Sequence, residues 1–114
     1  MKMHKPLALV TLFLAFIISP LAYGWDGVAT GVITRIDTVN ETNNYELRVF
    51  LGSTVMCNNT DPTMKTWGYL NSSDPNYKAT LANLMLAFST GKTVTIFTMN
   101  EGYGCHIHYV SVQA

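Results

Sequence analysis

Few residues of this 114-residue sequence carry a charge, and several common catalytic motifs are missing. Asp, Glu, Lys and Arg make up 12% of the chain, with seven acids and seven bases. The sequence contains no glycine-rich phosphate-binding motif and no Gly-x-Ser-x-Gly nucleophile motif. It also lacks a pair of acids at a spacing that suggests glycosidase chemistry. We therefore expect a non-enzymatic protein.

The only long apolar run lies at the N-terminus. A short basic stretch, MKMHK, precedes thirteen mostly apolar residues at 6–18, fewer than the roughly 20 that cross a bilayer comfortably. Ala22 and Gly24 then offer the small side chains that a signal peptidase prefers. We predict a cleaved secretory signal over residues 1–24 and a single mature domain over residues 25–114. An uncleaved membrane anchor is the alternative.

The mature domain would contain 90 residues, enough for one small domain but not for two. Loss of Lys2 and Lys5 leaves five bases against seven acids, a net charge of −2. A nucleic-acid partner needs a basic surface, so we expect none. We also expect no stable membrane insertion after cleavage and a periplasmic or secreted location.

Two cysteines, Cys57 and Cys105, are present in the chain. In an oxidising compartment they are expected to form one disulfide. Two free thiols, one of them a nucleophile, are the alternative. An exported reactive thiol would tend to be oxidised, so the disulfide is favoured.

The first half of the mature chain has the alternating pattern of β-strands. Apolar and polar residues alternate over 28–39 and 45–51, and a short third strand is predicted over 53–57. Gly31 indicates a bend in the first strand. Residues 58–74 form the longest predicted loop and thus the favoured carrier of function.

A helix is predicted next, with Asp74 as N-cap, Pro75 at the first helical position and Gly91 as the stop. Helical spacing places these residues on one broad apolar face: Tyr77, Leu81, Leu84, Met85 and Phe88. The opposite side carries Ala79, Ala82 and Leu86, which are apolar rather than charged. We therefore expect this side to contact another layer of the domain or a second subunit.

Two further strands, at 92–99 and 105–112, complete the chain around a turn at 101–104. The order β-β-β-α-β-β within 90 residues predicts a mainly β fold with one helix, a five-stranded OB-like barrel. An open antiparallel sheet with one packed helix is the alternative.

His106 and His108 lie two residues apart on the last predicted strand, so both side chains leave the same face. A zinc or copper site needs at least a third ligand. The carboxylates are scattered along the sequence and the cysteines are expected to be oxidised, so we predict no metal site and no cofactor. Hydrogen-bonded or solvent-facing histidines are the simpler expectation.

The register of this strand can be predicted from its core face. If Cys105, Ile107 and Tyr109 point inward, the histidines point outward. Val110 and Val112 then share the histidine face. That conflict indicates a bulge, or a face that is half covered.

Aromatic residues lie in the predicted loops, where small barrels expose them. Trp67 and Tyr69 fall in the long polar loop and Tyr103 in the last turn. Rings among short polar side chains are suited to stacking on sugars or peptides. Together with His106 and His108 they are the candidate ligand-binding residues. The alternative is that the rings cap a small core.

The stretches LMLAFSTGKTVTIF and GYGCHIHYVSV resemble a group of small exported bacterial proteins of largely uncharacterised function. The end of the helix and the strand after it also resemble the B-subunit of subtilase-type cytotoxins. That resemblance implies an OB-fold, a pentameric assembly and binding of sialylated glycans. In such an assembly the apolar side at Ala79, Ala82 and Leu86 would face a neighbour or a central pore.

The sequence therefore favours an exported, non-enzymatic binding module, resembling toxin B-subunits, that recognises a glycan or protein. A periplasmic inhibitor or immunity-type protein that binds another protein is the first alternative. An envelope protein with a structural or stress role is the second.

Overall fold

The computed structural model describes residues 24–114, and the predicted leader lies outside them apart from Gly24. The elements are β1 (Gly27–Val32), β2 (Arg35–Thr38), β3 (Leu47–Phe50), β4 (Gly68–Leu70), α1 (Tyr77–Thr90), β5 (Thr93–Glu101) and β6 (Gly104–Val112). The prediction of a mainly β protein with one helix is confirmed for this part of the chain. Over the same residues, no helix has the length and apolar character needed to cross a membrane.

All six strands belong to one sheet, in the order β1-β5-β6-β4-β3-β2. Neighbouring strands are antiparallel except for β4 and β6, which run parallel. The sheet is open, with β1 and β2 at its two edges. The pairing therefore does not confirm the predicted five-stranded OB-like barrel.

The additional strand arises because the predicted strand at 28–39 divides at Ile33 and Thr34. The Thr34 amide donates a hydrogen bond to the Phe50 carbonyl (2.9 Å), and the Thr34 hydroxyl accepts one from the Gly52 amide (2.8 Å). Ile33 is buried at this point. The halves on either side pair with different partners, β1 with β5 and β2 with β3. The sequence predicted the bend at Gly31, and in the structure it lies two residues later, at Ile33 and Thr34.

The predicted third strand at 53–57 is wrong. These residues form a turn and an extended segment in which Met56 and Cys57 are buried, and the Met56 amide donates to the Lys65 carbonyl. The strand that follows β3 is instead β4, which lies inside the predicted loop, and all three of its residues are buried. At Gly68 a Cβ atom would lie 2.9 Å from Ile107 Cγ1, so the close packing of β4 against β6 favours glycine there.

Helix α1 begins at Tyr77, two residues later than predicted. Asn76 adopts a left-handed conformation (φ 59°), and no side chain caps the helix. The Asp74 carboxylate accepts a hydrogen bond from the Asn71 amide instead (2.8 Å). The predicted stop at Gly91 is confirmed, because Gly91 has the left-handed conformation (φ 69°) typical of a C-terminal glycine.

The predicted apolar face of the helix is only partly covered. Leu84 is fully buried together with Ala87, whereas Met85 and Phe88 remain 49% and 41% exposed. The sheet therefore covers a narrower strip of α1 than the helical spacing suggested.

The predicted disulfide is confirmed. Cys57 and Cys105 are bonded, their Cα atoms are 5.6 Å apart, and both residues are buried. The bridge fixes the start of β6 to the segment that follows the turn at 51–54.

A β-bulge in β6 corrects the predicted register. Thr98 pairs with Ile107 and Phe97 pairs with Tyr109, so His108 is the additional residue. Cys105 and Ile107 point into the core as predicted, but Tyr109 is 53% exposed, and its predicted inward orientation is wrong. Beyond the bulge Val110 and Val112 are partly buried against the core. The bulge that the valines indicated is therefore present, and it reverses the alternation of side chains.

Candidate functional site

Both histidines of β6 contact the carboxylate of Glu101. Glu101 Oε1 lies 2.6 Å from His106 Nδ1 and 2.7 Å from His108 Nε2. The other ring nitrogen of His106, Nε2, lies 2.7 Å from Asp74 Oδ2. We call Asp74, Glu101, His106 and His108 the histidine–carboxylate cluster.

A tight hairpin places Glu101 beside the histidines. Its turn consists of Gly102 and Tyr103, and Gly102 has the positive φ (63°) that a two-residue turn accommodates with glycine at its first position. Glu101 pairs with Gly104 and Met99 with His106, so Glu101 and His106 are diagonal neighbours on one face of the sheet. The bulge keeps His108 on this face as well.

Asp74 reaches the cluster from the loop before α1. Its side chain is only 14% exposed and that of His106 19%, whereas Glu101 and His108 are 46% and 37% exposed. The cluster thus has a buried side at Asp74 and a solvent-facing side at Glu101 and His108.

Tyr69 fixes the plane of the His106 ring. The two rings are stacked, with centroids 4.7 Å apart and planes 4° from parallel. The Tyr69 hydroxyl donates to the Glu101 carbonyl at 3.0 Å. Burial, with a smaller contribution from Tyr45, raises the pKa of Tyr69 well above its ordinary value of 10.0. Tyr69 therefore stays a neutral hydrogen-bond donor behind the site.

The Glu101 carboxylate is stabilised in its charged form. The hydrogen bond from His108 lowers the pKa of Glu101 below its ordinary value of 4.5, and the hydrogen bond from His106 lowers it further. Burial raises this pKa, but by less than the His108 bond lowers it. Glu101 is thus a permanent anion at neutral pH.

An open cleft of about 250 Å³ runs between the start of α1 and β6. The helix side contributes Asp74, Pro75, Asn76, Thr80 and Asn83, and the strand side contributes residues 106–110, above Leu70. Carboxylate, amide, hydroxyl and imidazole groups line it together with the exposed ring of Tyr109. Such a lining can hydrogen-bond a polar ligand while stacking against one of its faces.

An aromatic patch adjoins this cleft. Trp25 is 41% exposed, and its ring centroid lies 5.6 Å from that of Phe97, 6.1 Å from His108 and 6.4 Å from Tyr109. Phe97 and Tyr109 are themselves 4.7 Å apart. We call Trp25, Phe97 and Tyr109 the aromatic patch.

The candidate residues predicted from the sequence do not all meet at one place. His106 and His108 line the cleft, and Tyr69 supports it from behind. Trp67 lies elsewhere, beneath the Arg48 guanidinium (4.8 Å), and donates from Nε1 to the Thr63 carbonyl. Tyr103, 78% exposed at the hairpin turn, does not line the cleft.

The predicted exposure of Trp67 and Tyr69 is wrong, since only 8% and 4% of their surfaces are accessible. Tyr69 belongs to the buried strand β4 rather than to a loop. The alternative, rings that cover a small core, describes both residues.

Sequence reasoning missed Asp74 and Glu101 because it judged the carboxylates to be scattered. The signal for Glu101 was the short EGYG turn, which places a residue before the turn diagonally opposite one after it. No comparable signal pointed to Asp74, because the sequence already assigned this residue the role of helix N-cap.

No known protein family matches the chain, and no curated protein shows significant similarity to it. The resemblance to toxin B-subunits therefore stays a prediction.

Proposed function

We propose that this protein is an exported, non-enzymatic carbohydrate-binding module whose site is the cleft between α1 and β6. The observation that carries the proposal is the exposed Tyr109 ring beside a cleft lined with short polar side chains. A pyranose offers an apolar face for stacking and a rim of hydroxyls for hydrogen bonds, and this site offers partners for both. Trp25 extends the stacking surface, and Asn83 lines the same cleft as Tyr109.

We further propose that the fold is an OB-like barrel in which β1 and β2 are halves of one bent strand. Only two residues, Ile33 and Thr34, separate these halves at opposite edges of the sheet. Counting them as one strand yields five strands, with the helix between the third and fourth. The five-strand count supports the resemblance to toxin B-subunits.

A glycan array probed with the purified domain, residues 25–114, tests the carbohydrate proposal. We expect binding to a restricted set of glycans, weakened about tenfold by Tyr109→Ala because a stacking contact is lost. Asn83→Ala should weaken it as well.

Tyr103→Ala is the matched control, because it removes an exposed tyrosine that does not line the cleft. Its glycan binding should equal that of the wild type. Absence of binding to every glycan, or equal losses in the Tyr103 and Tyr109 variants, would refute this site.

Assembly into a homo-oligomer is the second part of the proposal. Leu86 is 55% exposed on α1, and Ala79 and Ala82 are exposed on the same side. An apolar helix side of this kind is suited to burial against a second copy.

A further inference from the structure

Three potential metal ligands come together on the outer face of the β5–β6 hairpin. A carboxylate oxygen of Glu101 and one ring nitrogen each of His106 and His108 all lie within 4.8 Å of one another. Glu101 and His108 are partly open to solvent, so an ion could reach them. Two imidazoles and one carboxylate are a donor set that zinc sites use.

The contacts of His106 lack one proton if its imidazole is neutral and both neighbouring carboxylates are ionised. Its two nitrogens lie 2.7 Å from Asp74 Oδ2 and 2.6 Å from Glu101 Oε1. A neutral imidazole carries only one N–H, so one of the contacts would set two lone pairs against each other. Either a further proton shared among these three groups or a metal ion between His106 and Glu101 removes this repulsion.

The charges around the site favour a divalent ion. Within residues 24–114, the ion-pair contacts of Asp74 and Glu101 are with the two histidines alone, so no lysine or arginine neutralises them. A dication would balance both carboxylates.

Asp74 is placed to orient a metal-bound His106. With the ion on Nδ1, the Nε2–H group would donate to Asp74 Oδ2. Histidine ligands commonly hold such a carboxylate partner, which fixes the tautomer and makes the ring a better ligand. The stacked Tyr69 ring restrains the plane of the same imidazole.

We propose that Glu101, His106 Nδ1 and His108 Nε2 bind one divalent first-row transition ion, best matched by Zn²⁺, with Asp74 as a positioning residue. Ligands at tetrahedral zinc lie about 3.4 Å apart, whereas Glu101 Oε1 lies 2.6 Å and 2.7 Å from the two histidine nitrogens and the three atoms span up to 4.8 Å. The exposed Glu101 side chain must therefore move outward, and the two imidazole rings must turn toward each other. The remaining coordination position would be filled by water from the cleft. This inference goes beyond the carbohydrate proposal and does not depend on it.

Titration of the tag-free, chelator-treated domain with Zn²⁺ by calorimetry tests the proposal, with Co²⁺ absorption as a second readout. We expect one ion per chain and visible Co²⁺ bands of a low-coordinate site. His106→Ala, His108→Ala and Glu101→Gln should each weaken binding more than about tenfold, and Asp74→Asn should weaken it about 10- to 100-fold with unchanged stoichiometry.

Glu46→Gln is the matched control, since Glu46 is a carboxylate hydrogen-bonded to Ser72 outside the cluster. It should bind zinc like the wild type. Circular dichroism of the variants verifies folding, and the exposed His108 is the substitution expected to disturb it least.

Wild-type binding weaker than about 1 mM, or binding that survives the double variant His106→Ala/His108→Ala, would overturn the proposal. Because the titration contains no sugar, such a failure would not affect the carbohydrate proposal. Failure of the glycan array would likewise leave the metal site standing.

Discussion

Glu101 is the residue on which both histidines converge, and its environment has a measurable consequence. Hydrogen bonds from His108 and His106 lower its pKa in the folded protein. The interaction therefore contributes stability at pH values above 4.5, the ordinary value, and that contribution is lost as the pH falls through the lowered value.

We expect Glu101→Gln to reduce the loss of stability that acid causes. Between pH 6 and about pH 3 the midpoint of thermal unfolding, measured with chelator present, should fall less in the variant than in the wild type. Other carboxylates such as Asp37, whose pKa is lowered by Arg35, contribute equally to both profiles. Parallel pH profiles for the two proteins would contradict the role assigned to Glu101.

At the scale of elements, the β5–β6 hairpin and the helix determine what the surface presents. The bulge at His108 keeps both histidines on the outer face and turns Tyr109 outward after them. The loop before the helix contributes Asp74 to the cleft and the helix contributes Asn83, while another side of the helix leaves Leu86 uncovered.

We expect the domain to form an oligomer that Leu86→Glu converts to monomers. Burial of a leucine side chain contributes about 1.5–3 kcal/mol, and an introduced charge would oppose it. Light scattering coupled to size-exclusion chromatography measures the mass directly. Thr60→Glu introduces the same charge at an exposed residue of the loop before β4, outside the helix, and should leave the mass unchanged.

A wild-type domain that stays monomeric throughout a concentration series would contradict the proposed contact between copies through the Leu86 side of the helix.

At the scale of the whole molecule, the disulfide closes a long segment of the domain. It joins residues 48 positions apart, so the loop contains β4, α1 and β5. Both cysteines are buried, which shields the bond from reductants while the protein is folded.

We expect the double variant Cys57→Ala/Cys105→Ala to lose about 4 kcal/mol of stability, the loop-closure entropy of such a segment. Chemical denaturation with urea, followed by circular dichroism, measures the loss. If the variant does not fold, the reduced wild type should likewise be unfolded. A loss below about 1 kcal/mol would contradict a dominant role for the crosslink.

Local patterns predicted the elements better than their partners. Alternation located the segments of β1, β2 and β3, β-branched and aromatic residues marked β5, and the turn at 101–104 marked the start of β6. Gly91 marked the end of the helix. All these signals depend on neighbouring residues. The predictions failed where contacts between segments far apart in the chain determine the structure. Strand β4 forms in a polar stretch because it packs against β6. The Asp74 side chain contacts His106 instead of capping the helix as predicted.

The sequence by itself determined the mainly β composition with one helix, the pairing of the only two cysteines, and a last strand with both histidines on one side. These features follow from side-chain period, turn residues and cysteine count, which act locally or allow a single solution. Only the tertiary structure decided that Asp74 and Glu101 join the histidines, that Trp67 and Tyr69 are buried, and that Tyr109 is exposed. Each of these outcomes depends on strand register and on the meeting of residues far apart in the chain, where one bulge reverses the direction of the side chains that follow it.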